Sequence, residues 1–406
     1  MSKKIFQSDA FHSVFGRLAR RARRHRPTLS SGVVAVAVTA VLAVLTSVSV
    51  SQAGSLTFTT KGVTDGLASD SVNTVYVSGS TIYVGTVSGL SISTDSGASF
   101  TNKTMSDGLG SDNVSSIFVS GSTLYVGTSG GLGISTDGGA TFTNITTANG
   151  LGANSVWGVA VSGSNIYLAT GGGVSTSTDG GATFTNVSTG VGGAPIYAVF
   201  ADGTTVYTAS AGGVAKSTNS GATFTNRNVT AGLGANNVKG VFVSGSTVYA
   251  ATNGGLSISS DGGTSFTNRT TSDGLGSNTV NGVFVSGSTV YAATNGGLSV
   301  STDGGATFEN NNTSDGLVTN YVNQVFVAGS VVYAATLAGF SGTSLAATTT
   351  TTTAAPTTTA APNVNTEVVL PETGKNSNGI ALLGCVVLSL GLVAVAGRRL
   401  RGSGTN

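Results

Sequence analysis

Hydrophobic residues fall into three textures along the chain. From about residue 54 to 345, short runs rich in Val, Ile, Thr, Tyr and Phe alternate with Ser-Gly-Ser and Asp-Gly-Gly turns. β-branched and aromatic residues suit a pleated, half-buried surface, and the Gly, Asn and Asp between them suit turns. The runs at 114–119, 123–128, 132–136 and 140–144 make one set of four predicted strands. Nothing in this region carries the periodicity of an amphipathic helix. The other two textures are nearly unbroken apolar runs, 32–50 and 379–397, each beside basic residues.

The four-strand set repeats. The Tyr of a Y-[VLTA]-[GA]-[TS] tetrad stands at Tyr83, Tyr125, Tyr167, Tyr207, Tyr249, Tyr291 and Tyr333, with spacings of 42, 42, 40, 42, 42 and 42. A second marker, the Phe of T-F-T or S-F-T and their variants, stands at Phe58, Phe100, Phe142, Phe184, Phe224, Phe266 and Phe308. Residues 240–257 and 282–299 are identical, which marks duplication. Four strands in about 42 residues form one propeller blade, so the chain predicts an all-β, seven-bladed β-propeller. Phe58 precedes the first Tyr, and Tyr333 has no Phe-bearing strand after it. A strand near 56–60 is therefore expected to complete the last blade, whose inner strands lie in 321–345. Hydrogen bonds between the chain ends then close the ring and remove its open edges.

Charge separates the ends from the repeats. The first 26 residues hold eight basic side chains, the apolar run follows, and Ser51-Gln52-Ala53 offers small-x-small. That order predicts a secretory signal over 1–53. At the other end, Leu370-Pro371-Glu372-Thr373-Gly374 precedes the run 379–397 and then Arg398, Arg399 and Arg401. This resembles the LPXTG sorting signal of Gram-positive surface proteins. The resemblance implies that a sortase cuts between Thr373 and Gly374 and joins Thr373 to peptidoglycan. The span and basic tail would hold the precursor transiently in the plasma membrane with the basic end inside. Residues 346–369, rich in Thr, Ala and Pro, read as a low-complexity stalk between propeller and wall. The expected order is signal peptide 1–53, propeller 54–345, stalk 346–369 and sorting signal 370–406.

Cutting at both expected sites leaves six basic and fifteen acidic side chains, a net charge of −9. An acidic protein of this kind is a poor partner for nucleic acid. The cuts also remove both His (His12, His25) and the only Cys (Cys385). His or Cys metal sites, Ser-His-Asp triads and disulfides are thereby excluded, and no cofactor or metal is expected.

Ser-Thr-Asp-x-Gly-x-[TS]-Phe and close variants recur around Asp95, Asp137, Asp179, Asp261 and Asp303, with Asn219 standing in once. The motif resembles the Asp-box repeat of sialidase-type propellers, with Phe for the usual Trp. Asp273-Gly274-Leu275-Gly276-Ser277-Asn278 resembles the two-component-regulator propeller repeat. Both imply a propeller and neither implies one function. The expected role of the Asp-box carboxylates is structural, accepting hydrogen bonds within a turn. Sialidase chemistry, by that resemblance, uses three arginines, and 54–373 holds only Arg227 and Arg269. Asp70 and Asp112 are the best candidates for a two-carboxylate glycosidase. Their equivalents Asn154, Asn236, Asn278 and Asn320 favour an Asx-turn role instead.

Divergence among near-identical repeats points elsewhere. Ten residues before each marker Tyr stand Asn73, Ser115, Trp157, Tyr197, Lys239, Asn281 and Asn323. This is the expected start of the innermost strand, at the mouth of the central channel. Trp157, Tyr197 and Lys239 fall on consecutive blades, and two aromatics beside a cation can floor a sugar ring or an anionic glycan. Lys216 is expected nearby. Trp157 could instead refill volume at Ala160, where other blades carry Phe or Tyr. Strand alternation would set 157 and 160 on opposite faces, against that reading. The expected function is a wall-anchored, non-enzymatic module recognising a glycan or an extracellular protein. The alternatives are a structural coat protein and a carboxylate-only carbohydrate-active enzyme.

Overall fold

The structure is a computed structural model and describes residues 56–344. The expected signal peptide, stalk, LPXTG motif and span 379–397 lie outside the described residues. Among the described residues, no helix is long and apolar enough to cross a membrane.

Twenty-eight strands, numbered β1 to β28 in chain order, form seven antiparallel four-stranded sheets. These are the blades of a seven-bladed β-propeller. Six blades use four consecutive strands. Blade two shows the plan: β6 (Val114–Ser120) inside, then β7 (Thr123–Thr128), β8 (Gly131–Ser135) and β9 (Thr143–Ile145) outside. The outer strand begins later than the run 140–144 suggested, because the Asp137 turn claims those residues. Thr141 donates both its N–H and its hydroxyl to the Asp137 carboxylate.

Blade seven closes the ring. β1 (Thr59–Lys61) lies outside β28 (Gly339–Ser344), pairing Thr59 with Gly342, Thr60 with Ser341 and Lys61 with Phe340. The offset between the Phe and Tyr markers is thus a real strand exchange between the chain ends.

The core sits between blades. The second strand of almost every blade is buried on both faces, because each sheet packs against two neighbours. One cluster joins Tyr83, Leu90 and Ile92 of blade one to Leu109, Val114, Ile117 and Phe142 of blade two. The Thr that ends the marker tetrad is buried for a polar reason. Thr86 Oγ1 donates to the Gly89 carbonyl and accepts the Ser88 N–H, bracketing the turn between the second and third strands.

One inter-blade contact has no counterpart elsewhere in the ring. Gln324 Oε1 accepts from the Thr74 hydroxyl (3.0 Å) and the Val75 N–H (2.9 Å), across the seam between blades seven and one. Gln324→Ala leaves both donors part-buried without this acceptor, a cost of about 1–3 kcal/mol. The expected result is a lower midpoint in urea with an unchanged denaturant slope. An unchanged midpoint would show that the seam does not depend on Gln324.

Candidate functional site

The channel mouth is built by a bulge. In every inner strand the register shifts across the second residue, for example between Val156 and Gly158, Ile196 and Ala198, and Val238 and Gly240. The extra residue leaves the strand's two-residue alternation. Six of these seven bulge residues, Asn73, Ser115, Trp157, Tyr197, Lys239 and Asn323, line one open cavity of about 520 Å³. Val87, Asn113 and Asn237 complete its wall.

The structure therefore brings Trp157, Tyr197 and Lys239 together. The Trp157 and Tyr197 ring centroids stand 5.8 Å apart with planes tilted by 44°. Gly171, in the turn above, lies beside the indole, and a Cβ there would crowd Ser155 Oγ at 2.6 Å while only touching the Trp157 ring edge at 3.8 Å. Lys239 Nζ donates to Asn281 Oδ1 at 2.8 Å. Burial lowers the pKa of this ammonium from its ordinary value.

The bulge position has a structural job in other blades. Asn73, Asn281 and Asn323 each donate Nδ2 to the carbonyl that opens the next blade's inner strand: Val114 at 2.9 Å, Val322 at 2.8 Å and Val72 at 2.8 Å. Such an amide staples neighbouring blades. Blades three, four and five carry Trp, Tyr and Lys at the stapling position. Blades three and four have exchanged this inter-blade hydrogen bond, worth about 1 kcal/mol, for aromatic surface, while Lys239 keeps one to Asn281 of blade six and adds a cation.

Two expectations need correction. Simple alternation between 157 and 160 does not apply, because the bulge takes Trp157 out of the alternation. The conclusion drawn from it stands on different grounds. Aromatic contacts run from Phe118 through Tyr76, Phe326, Phe284 and Phe242 to Phe200, with centroids 4.9–5.8 Å apart. That series stops on either side of Ala160, while the ring contact of Trp157 is with Tyr197. Trp157 does not replace the missing Phe. Lys216, secondly, is not at the mouth. Its Nζ donates to the Gly262 carbonyl at 2.9 Å and lies over Tyr207. Gly262 belongs to an Asp-box turn that bonds Ser246, at the far end of the strands from Lys239.

The candidate pair Asp70 and Asp112 and the Asp-box carboxylates have local partners. Asp70 and Asp112 accept the N–H of Val63 and Met105, at 2.7 and 2.8 Å, and so cap short 3-10 turns. Asn154, Asn236, Asn278 and Asn320 make the same bond. Where Asn serves equally, the group is used as an acceptor and not as an acid. Each Asp-box carboxylate accepts from a Ser two residues before it and from the backbone N–H four residues after, as Asp95 does from Ser93 and Ser99. Asp137, Asp179, Asp261 and Asp303 repeat the pattern. Among the described residues no group of three or more His, Cys, Asp or Glu is placed to hold a metal.

Sequence comparison missed Val87, Asn113 and Asn237 as wall residues. Val87 was detectable: its equivalents are Ser129, Gly171, Ala211, Asn253, Asn295 and Leu337, so this loop position diverges as strongly as the bulge. Asn113 and Asn237 precede the inner strand, at a position whose equivalents are Ser71, Ser155, Pro195, Thr279 and Tyr321, so it diverges too.

No protein family matches the chain, and no curated protein matches it. Solved structures do. An extracellular domain assigned to a hybrid two-component system of B. thetaiotaomicron is 15% identical with a TM-score of 0.60, covering 72% of this chain and 42% of that one. The chain thus spans about two fifths of that relative. YCF48, solved bound to a D1 peptide and known in another structure from Cyanidioschyzon merolae, is 14% identical with a TM-score of 0.55, covering 72% and 97% of the two chains. PorZ, a surface component of the type-IX secretion system of Porphyromonas gingivalis, is 15% identical with a TM-score of 0.52, covering 71% and 38%. At these identities the likeness is one of fold, and it places residues 56–344 among the β-propellers.

Proposed function

We propose that this chain is a secreted, cell-wall-anchored recognition module without enzymatic activity, and that it binds a glycan at the channel mouth over blades three to five. The observation that carries the site is the replacement of the Asn staple by Trp157, Tyr197 and Lys239 around one open cavity. A cavity of about 520 Å³ lies within the usual range for small ligands. The tilted aromatic pair offers apolar faces to the C–H side of a sugar, and Asn and Ser offer paired donors and acceptors to its hydroxyls. The non-enzymatic reading is supported by Asp70, Asp112 and the five Asp-box carboxylates, which are committed to turns. The anchoring reading is supported by sequence alone. A sortase would join Thr373 of the Leu370–Gly374 motif to peptidoglycan, and the stalk would hold the propeller off the wall.

The test is a glycan screen on cells displaying the full chain, beside cells displaying Trp157→Ala. Loss of the indole face should weaken binding about tenfold or more, equivalent to roughly 1.4 kcal/mol. Binding unchanged in the variant would move the site elsewhere on the propeller. A displayed propeller that bound no glycan would favour a coat role, for which the identity of 240–257 with 282–299 is the supporting observation.

A further inference from the structure

Lys239 is the one charged side chain in the cavity wall. Its ammonium meets an amide oxygen, Asn281 Oδ1, and no carboxylate. The ion pairs among the described residues are Lys61–Asp65 and Lys103–Asp107, both on outer strands and their turns. Acidic residues outnumber basic ones between 54 and 373, yet among the described residues no carboxylate is paired with this cation. Lys239 is also partly withdrawn from water, and burial is the only cause of its lowered pKa. A cation desolvated without a counter-charge is an unfavourable arrangement that a bound anion relieves.

A second, independent observation lies beside it. Asn237 Oδ1, in the same wall and two residues before Lys239, is buried without a hydrogen-bond partner. Buried amide oxygens are nearly always paired, and of the seven buried unpaired side-chain atoms among the described residues this one belongs to the cavity wall. A ligand hydroxyl would supply its donor.

We infer that the channel-mouth site is specific for hexuronic acid units. The ring stacks on Trp157 and Tyr197, the carboxylate meets Lys239, and a neighbouring hydroxyl donates to Asn237. This inference rests on the proposed glycan site and narrows it from glycans to carboxylated ones. A neutral sugar would leave the cation uncompensated. A peptide carboxylate would meet Lys239, but it presents neither a saturated ring for the aromatic pair nor a hydroxyl at fixed distance for Asn237.

The experiment uses cells displaying the full chain and fluorescent trisaccharides containing galacturonate, glucuronate or mannuronate. Each is offered as the free acid and as its methyl ester, which keeps the ring and removes the charge. At least one free acid should bind tenfold or more tighter than its ester, and added salt should shrink the gap. Lys239→Met should abolish the preference, with the free acid binding no tighter than its ester, while Lys239→Arg should retain most of it. Equal binding of acid and ester, or a preference that survives Lys239→Met, overturns the inference. If neutral glycans bind through Trp157 and no uronate does, the inference fails alone. If no glycan of any kind binds, the recognition site fails with it.

Discussion

Deleting residues 54–61 should open the ring and make the chain aggregate. The segment supplies β1, the outer strand of blade seven. Without it β28 becomes an open edge whose N–H and C=O groups can pair with another chain. The loss extends beyond one ladder. Phe58 is 8% exposed and packs in the cluster between blades six and seven with Leu298, Leu317 and Val325. Leu56 N–H also reaches Asn311 Oδ1, on the outer strand of blade six, at 3.1 Å. The closing strand therefore ties two blades. A milder change isolates the packing. Phe58→Ala should cost about 3–5 kcal/mol, as large-to-small core changes do, and lower Tm by roughly 10 °C.

The complementary experiment covalently locks the same seam. Thr60 and Ser341 face each other in the register, with their hydroxyls 2.9 Å apart and their positions 281 apart in sequence. Thr60→Cys with Ser341→Cys should form a disulfide without competition from any other Cys between 54 and 373. Closing so long a loop reduces the entropy of the unfolded chain by an amount worth up to about 5 kcal/mol. The oxidised variant should melt well above its reduced form. Equal melting of the two forms, together with a deletion variant that does not aggregate, would show that closure does not limit stability.

The fold was legible because the sequence states it seven times. Each blade reads the same whether or not one copy drifts, so the period, the four strands and the offset of the closing strand survive local ambiguity. The site was legible only in part. Position 157 stood out because its equivalents disagree, and the mouth location followed from its place at the head of the inner strand. Its direction did not follow, since the bulge between Val156 and Gly158 is a register property of two strands. The staple was hidden for a similar reason. Asn73 bonds a carbonyl 41 residues away in the next blade, a contact invisible until blades are packed. Lys216 was misplaced because nearness in sequence to a deviant unit says nothing about which end of a strand a side chain reaches. The Asx role of Asp70 and Asp112 was readable, because their Asn equivalents showed that charge was dispensable.

That dispensability leads to the second large effect, an acid limb in stability that belongs to the five Asp boxes. The hydroxyls of Ser99, Thr141, Thr183 and Ser259 are the leading cause that holds Asp95, Asp137, Asp179 and Asp261 well below the usual carboxylate range. For Asp303 slight burial works against ionisation, yet the Thr307 N–H and the Ser301 and Thr307 hydroxyls bring its pKa down to about 2. A carboxylate whose folded pKa is depressed stabilises the fold above its unfolded pKa, near 3.9. It loses that contribution as pH falls through the folded value. The parent should therefore hold its full stability above about pH 5 and lose it progressively down to about pH 2. Blade four supplies the control. Asn219 accepts from Ser217 and from the Thr223 N–H, and donates Nδ2 to Thr223 Oγ1, keeping the turn without a charge. The five-fold variant Asp95→Asn, Asp137→Asn, Asp179→Asn, Asp261→Asn and Asp303→Asn should fold at neutral pH with a lower Tm than the parent. Its Tm should stay much flatter between pH 5 and pH 2, with a residual slope from Asp65 and Asp107. Their pKa values are lowered first by the backbone N–H groups of Gly62 and Thr104. Two Tm curves falling in parallel as the solution is acidified would assign the acid sensitivity to other groups and return the Asp boxes to neutral turn formers.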